Sequence, residues 1–330
     1  MAQPPVPLFP LRHLGRSEIL ISPLGLGCWQ FSRGRGLSGG YWPALSEEEI
    51  RAIVGRALSG GIQWFDTAEY YGAGESERML AAALRGLGVR PGDAVVASKW
   101  MPFGRTSRSI VRTIDERLKN LAPFPIDLYQ VHQPYSFSPV PSQMKEMAKL
   151  VAAGKVRTVG VSNFKRKRMV TAHRTLASLG LPLVSNQMPY SLLDRRIETD
   201  GVLDAAKELG VTIIAYSPLA QGLLSGKYHD DPDRIKAAGG YRRYLGKFKR
   251  RGLEKSRPVV EAVREVAARH GATPSQVALN WLITFHGESV VAIPGATRAA
   301  QAEENAGALR FRLTPDELDH LDRASTPGKD

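Results

Sequence analysis

Polar side chains recur about once every thirty residues along this chain, each at the end of a short apolar run. Asp66, Lys99 and His132 lie 33 residues apart in turn, Ser162 follows after 30, Gln187 after 25 and Tyr216 after 29. One strand-plus-helix unit of an eightfold α/β barrel of about 250 residues occupies roughly 31 residues. The runs themselves read as strands: LGLGCW (24–29), IQWFD (62–66), AVVASK (94–99), DLYQVH (127–132), RTVGVS (157–162), PLVSNQ (182–187), VTIIAYS (211–217) and SVVAIP (289–294). Several are almost continuously apolar, as parallel strands covered by helices on the outside must be. Eight strands alternating with helices imply a (β/α)8 TIM barrel or a large doubly wound sheet, and the spacing favours a single barrel spanning residues 1–330, with its core at about 14–321.

Helix signals fill the intervals. Ser46 with Glu49 forms a predicted capping box before the apolar face of Ile50, Ile53, Val54, Ala57 and Leu58, and Gly60-Gly61 ends that helix. Ile110, Ile114, Leu118 and Leu121 form a second such face. Thr273-Pro274 with Gln276 opens another helix. Thr314-Pro315 opens a C-terminal helix additional to the eightfold count. The basic stretch Gly239–Arg257 reads as a cofactor clamp, a lid for acidic substrates or a basic mobile loop, with the last favoured.

Composition narrows the function classes. The chain has 330 residues and one cysteine, Cys28, which rules out an internal disulfide and a cysteine-rich metal site and suits a reducing compartment. No metal site is expected. The first residues lack the pattern of a signal peptide, and no apolar run reaches the length of a membrane span, so a cytoplasmic protein without membrane contact is expected. The net charge of +13 raises the question of nucleic acid. The charge is spread widely apart from Lys165–Arg168 and the stretch Arg242–Arg257, and no nucleic-acid module accompanies it, so a solvated basic surface is the preferred reading. Gly34–Gly39 spells GxGxxG but is followed by Gly40-Tyr41-Trp42-Pro43, which cannot continue a helix; it is not a dinucleotide fingerprint. Gly222–Lys227 is too short for a P-loop.

The strongest local signal is Phe65-Asp66-Thr67-Ala68-Glu69-Tyr70-Tyr71-Gly72. Carbonyl reduction needs a hydride on carbon and a proton on oxygen. A tyrosine can give that proton, but its free pKa is about 10. An adjacent Lys99 ammonium is expected to lower it, Asp66 to act as counter-ion to a partly buried Lys99, and His132 to orient the carbonyl.

Here FDTAEYYG, ASKW, LYQVHQP, GKVRTVGVSNF, SNQMPYSLL, AYSPLAQGLLSGKY and IPGATRAAQAEENAGAL together resemble the aldo-keto reductases, especially the bacterial and plant branch that also includes the potassium-channel β subunits. The resemblance runs from about Leu14 to Leu321. It implies an NADPH-dependent reductase of aldehydes and ketones with a catalytic set of Asp66, Tyr71, Lys99 and His132. The family spacing selects Tyr71 over Tyr70 as proton donor. By the same resemblance, Gly27, Cys28, Trp29 and Asp66 border the cofactor, and Ser162, Asn163 and Gln187 hold the nicotinamide carboxamide. Tyr216 stacks on the nicotinamide. Ser217, Leu219, Gln221, Gly222, Leu224, Ser225 and Lys227 cover the pyrophosphate. Gly295, Thr297, Arg298, Gln301, Glu304 and Asn305 take the adenosine end, where Arg298 suits the 2′-phosphate of NADP. Trp29, Tyr71, Trp100 and His132 are expected to line the substrate pocket for a small carbonyl compound, with Phe31, Tyr41, Trp42 and Phe103 nearby. The alternative is a redox-sensing subunit that binds NADP(H) with little turnover. Oligomeric state is left open, as monomer or homo-oligomer.

Overall fold

The structure, a computed structural model, describes residues 8–36, 41–237 and 244–326. Among them the chain forms ten strands: β1 (Arg12–His13), β2 (Leu20–Ile21), β3 (Leu26–Gly27), β4 (Trp64–Asp66), β5 (Val95–Trp100), β6 (Leu128–Val131), β7 (Thr158–Ser162), β8 (Leu183–Pro189), β9 (Thr212–Tyr216) and β10 (Val290–Ala292). β3 to β10 are parallel and neighbour one another in chain order. The sheet closes because the segment around β3 also pairs with β10. Leu24 bridges Ala292, Gly27 bridges Gly295, and the Gly25 N–H donates to the Ala292 carbonyl at 2.9 Å. The result is the (β/α)8 barrel the spacing predicts.

Strand alternation decides which side chains enter the barrel. Trp64, Ala97, Leu128, Val184, Ile214, Val291 and Ile293 face inward and form one apolar cluster with Leu14, Ile19 and Ile21. The last three belong to the β1–β2 hairpin, which plugs the N-terminal end of the barrel and which the sequence reading did not anticipate. Gly15, at φ 55°, lets the hairpin approach closely: a Cβ there would lie 2.4 Å from the Val184 carbonyl oxygen. Arg12 fastens the hairpin, donating to the carbonyls of Ile283, Val290 and Gly287 at 2.6, 2.8 and 3.1 Å. Above this apolar floor the inward positions become polar: Asp66, Lys99, Gln130 and Gln187. The alternate residues, among them Phe65, Val96, Trp100, Tyr129 and Val131, face the helices in the larger core.

The expected helix starts form as read. Capping boxes join Ser46 to Glu49, Thr273 to Gln276 and Thr314 to Glu317. The additional helix Pro315–Ser325 closes the chain. One expectation fails. Residues 239–243 of the basic stretch lie outside the described residues, but beyond a short turn at Gly246–Phe248 the chain enters a helix, Arg250–His270. The segment is therefore not a loop to Arg257. Leu253, Ser256, Val259, Val260 and Val263 are buried at helical spacing, and this stripe carries the helix through Pro258. No helix among the described residues is long and apolar enough to cross a membrane.

Candidate active site

The polar strand ends converge at the C-terminal rim of the barrel. Asp66 is the last residue of β4, Lys99 the penultimate residue of β5, and His132 follows β6 directly. Lys99 is fully enclosed and Asp66 is 1% exposed. The Lys99 ammonium donates to Asp66 Oδ2 and, at 2.8 Å, to the Thr67 carbonyl. Asp66 Oδ1 accepts from the side-chain amides of Gln187 at 2.9 Å and Gln130 at 3.2 Å. A buried ion pair is tolerated when its remaining lone pairs and protons are matched, as they are here. Burial opposes the Lys99 charge, but the Asp66 carboxylate and the Tyr71 phenol outweigh it and hold the ammonium above its usual range.

Tyr71 comes from the loop between β4 and the helix Glu75–Gly86. Its hydroxyl accepts from Lys99 Nζ at 3.4 Å, and the ammonium stands 4.9 Å from the ring centre. The expected lowering of the phenol pKa is only half of what occurs. Burial is the largest effect and raises it; Lys99 pulls it down; Asp66 pushes it up again; the net lies above the usual value. Tyr71 is thus a neutral phenol, and Lys99 is placed beside its hydroxyl. Of the two adjacent tyrosines considered from the sequence, Tyr71 has its hydroxyl at Lys99.

His132 meets the Tyr71 ring edge-on at 5.5 Å. Its Nδ1 is buried without a hydrogen-bond partner among the described residues. Burial and then Lys99 hold the imidazole well below its usual pKa, so the ring is neutral and keeps one N–H to donate. Trp29 lies 6.0 Å from Tyr71 and 4.7 Å from Tyr41, both stacked, and Trp42 packs edge-on against Trp29 at 6.0 Å and Tyr41 at 5.0 Å. These rings wall one side of the rim. Trp100 does not join them. It is fully enclosed and donates from Nε1 to Ser109 Oγ at 3.0 Å, because its neighbour Lys99 takes the inward face and strand parity sends it outward. Phe31 is likewise buried in the core, whereas Phe103 is exposed.

A second set of candidates continues around the rim. Ser162 Oγ donates to the Gln187 carbonyl at 3.0 Å. Asn163, at φ 61°, donates from its amide to the His132 carbonyl at 3.2 Å and accepts from the Tyr216 hydroxyl at 2.9 Å. The histidine that faces Tyr71 and the residues expected at the nicotinamide therefore share one network. After β9, Ser217, Ala220, Gln221 and Gly222 all have positive φ, and Gln221 Oε1 is buried without a partner among the described residues. Leu219, Ser225 and Lys227 line the same turn, but Leu224 is buried in the core, as is the Cys28 side chain. Gly27 lies in β3 next to that cysteine. Beyond β10, Gly295 and Thr297 lead to Arg298, the exposed first cap of the helix Ala299–Gly307, which has no side-chain cap. Gln301 accepts from the Thr297 N–H at 2.8 Å, Asn305 donates to the Gly295 carbonyl at 3.4 Å, and Glu304 accepts from Thr273 at 2.8 Å.

Gln130 and Thr67 escaped the sequence reading, although both bond the Asp66–Lys99 pair. Gln130 had a signal: it stands two residues before His132 in a strand and so shares its face. The part played by the Thr67 carbonyl carries no side-chain signal.

An eight-stranded parallel barrel with an Asp-Lys-Tyr-His cluster at its C-terminal rim defines a class of barrel oxidoreductases. The aldo/keto reductase family profile matches residues 23–326. The chain belongs to that family, and is an oxidoreductase. It is 38% identical over 305 residues to an uncharacterized oxidoreductase of Mycobacterium tuberculosis, covering 92% of this chain and 90% of the relative. It is 33% identical over 333 residues to the chloroplastic pyridoxal reductase of Arabidopsis thaliana, covering 97% and 88%. Among solved structures, a thermostable aldo-keto reductase in complex with the inhibitor epalrestat superposes with a TM-score of 0.76 at 31% identity, covering 96% of this chain and all of the other. A glycerol dehydrogenase from Gluconobacter oxydans gives 0.81 at 26% identity, covering 97% of each.

Proposed function

We propose that the protein reduces small aldehydes and ketones to alcohols with NADPH, and that Tyr71 supplies the proton. The observation that carries this is the 3.4 Å contact between the Tyr71 hydroxyl and an ammonium neutralised by a fully bonded carboxylate. The cofactor, when bound, supplies a hydride.

The residues at hand fit a dinucleotide. The uncapped start of the helix Ala299–Gly307 offers free N–H groups to phosphate, with Arg298 beside it for a 2′-phosphate. The positive-φ turn Ala220–Gly222 brings backbone close to a ligand, and the buried, unpartnered Gln221 Oε1 calls for a donor. Ser162, Asn163 and Gln187 would hold the carboxamide, Tyr216 the ring face, and the 217–227 turn the pyrophosphate. Gly295, Thr297, Gln301, Glu304 and Asn305 would flank the adenosine.

At the reacting end His132 donates a hydrogen bond to the carbonyl oxygen and fixes its direction. Tyr71 gives that oxygen a proton. Lys99 stabilises the phenolate left behind, and Asp66 keeps Lys99 charged and in place. Trp29, Tyr41 and Trp42 favour a flat apolar body on the substrate. Aromatic and heteroaromatic aldehydes, pyridoxal among them, are the first to test, ahead of methylglyoxal and sugar carbonyls. The lone cysteine and ordinary enzyme composition suit a cytoplasmic setting.

The test is the loss of reduced-nicotinamide absorbance with an aldehyde panel, beside Tyr71→Phe. Turnover that this variant loses by at least about a hundredfold, with NADPH affinity retained, is expected. Tight NADPH binding with no turnover on any aldehyde would replace the reductase with a redox-sensing subunit.

A further inference from the structure

The Tyr71 phenol acts only if it stays beside Lys99, yet it sits on a loop. Gly72, Ala73 and Gly74 follow it at φ 67°, 54° and 81°, so that loop has little regular structure of its own. Its anchor is Glu69, two residues upstream and 8% exposed. Glu69 Oε1 accepts from the Met101 backbone N–H and from Arg105, both at 2.5 Å, and Oε2 accepts from Arg117 at 2.8 Å. Arg117, 3% exposed, also pairs through Nε with Glu77 at 2.9 Å. Glu77 is fully enclosed, and its Oε1 accepts from Ser98 Oγ at 2.6 Å. Ser98 and Met101 bracket Lys99 on and just beyond β5. Arg117 belongs to the helix Arg108–Leu121 and Glu77 to the helix Glu75–Gly86.

Burying two carboxylates and a guanidinium is costly, and an apolar cluster would fill this space as well. What the charges add is direction. We propose that Glu69, Arg117 and Glu77 form a positioning device for the proton donor, clamping the Tyr71 loop and the Lys99 strand to the same two helices and so setting the phenol–ammonium separation. This rests on the reading of Tyr71 as proton donor. The three residues bond one another through Arg117 and reach Ser98, Met101 and Arg105, so in this proposal they act through Tyr71 and Lys99. The groups that face the phenol are Lys99, Asp66, Cys28, His132 and Tyr216; Glu69 and Arg117 are not among them and can act on it only as more distant charges.

That separation gives a test with opposite signs. Removing the Glu69 charge would, by field alone, make the phenol more acidic. Letting the loop relax away from Lys99 makes it less acidic. In Glu69→Gln, which keeps the shape, the acidic group in the pH profile of kcat/KM is expected to shift upward by about half a unit or more, and kcat to fall about tenfold. The affinity for NADPH should change less than about twofold. Arg105→Met, at the partly exposed edge of the cluster, should do the same to a smaller degree and serves if the first variant does not fold. A downward shift, or an unchanged profile with only a lower melting temperature, overturns the proposal. Wild type and Tyr71→Phe run in parallel. If Tyr71→Phe turns over normally, the proton-donor reading fails; carbon NMR of labelled tyrosine, titrated in Glu69→Gln and wild type, then still reports whether the Tyr71 phenol moved up as the clamp requires.

Discussion

Replacing Lys99 by methionine removes the ammonium while keeping most of the stem. At 3.4 Å and an effective dielectric of about 20, an ammonium and a phenolate attract by about 5 kcal/mol. If roughly half of that is felt where the proton is half transferred, the barrier rises about 2.5 kcal/mol and turnover falls roughly 70-fold. A second effect must be separated from this one. Asp66 is 1% exposed, and without Lys99 it is left as an unpaired buried charge, which costs about 3–5 kcal/mol of stability. Adding Asp66→Asn removes that charge while its oxygen still accepts from Gln130 and Gln187. Denaturant unfolding is therefore expected to show a large loss in the single variant and recovery of most of it in the double variant. Steady-state reduction of an aldehyde should stay low in both. A double variant that turns over within about tenfold of wild type would refute the assignment of Lys99 as the group that stabilises the phenolate.

Three further outcomes follow from the same geometry. Glu198 is half-buried; burial opposes its charge, but bonds from His286, Arg195 and Tyr190 outweigh it and hold the carboxyl at about 2, against 4.5 when free. Its stabilising effect is thus present above about pH 4.5 and lost as pH falls toward 2, so Glu198→Gln should cost roughly 2 kcal/mol at neutral pH after allowance for its exposure, and the cost should shrink on acidification; a pH-independent difference in urea midpoint contradicts this. His132, held low by burial and Lys99, should remain a neutral imidazole at about pH 6.5, where a free histidine is half protonated, and nitrogen NMR showing an imidazolium there would remove its role as a neutral donor. Arg298→Ala should raise the KM for NADPH about tenfold or more and that for NADH less than about twofold; equal changes would dismiss the 2′-phosphate contact.

The barrel strands and their polar ends were legible because the fold writes both at short range. An apolar run ending in Asp66, Lys99 or His132 needs no partner to be recognised. Strand parity was legible too, and neglecting it misplaced Trp100, whose neighbour Lys99 already takes the inward side. Other features left no such trace. β1 and β2 have two residues each, too few to show alternation, and they exist because Leu14, Ile19 and Ile21 find an apolar floor to cover. The helix Arg250–His270 was hidden by its dense charge and by Pro258, and it forms because one stripe packs on the barrel.

The sequence by itself determined the eightfold repeat and the residue types of the polar cluster at the strand ends, since periodicity and chemistry are local properties of a chain. Only the tertiary structure decided the balance of forces on Tyr71. Whether burial or Lys99 governs the phenol depends on distances and enclosure contributed by five different strands and loops, and no stretch of sequence contains those.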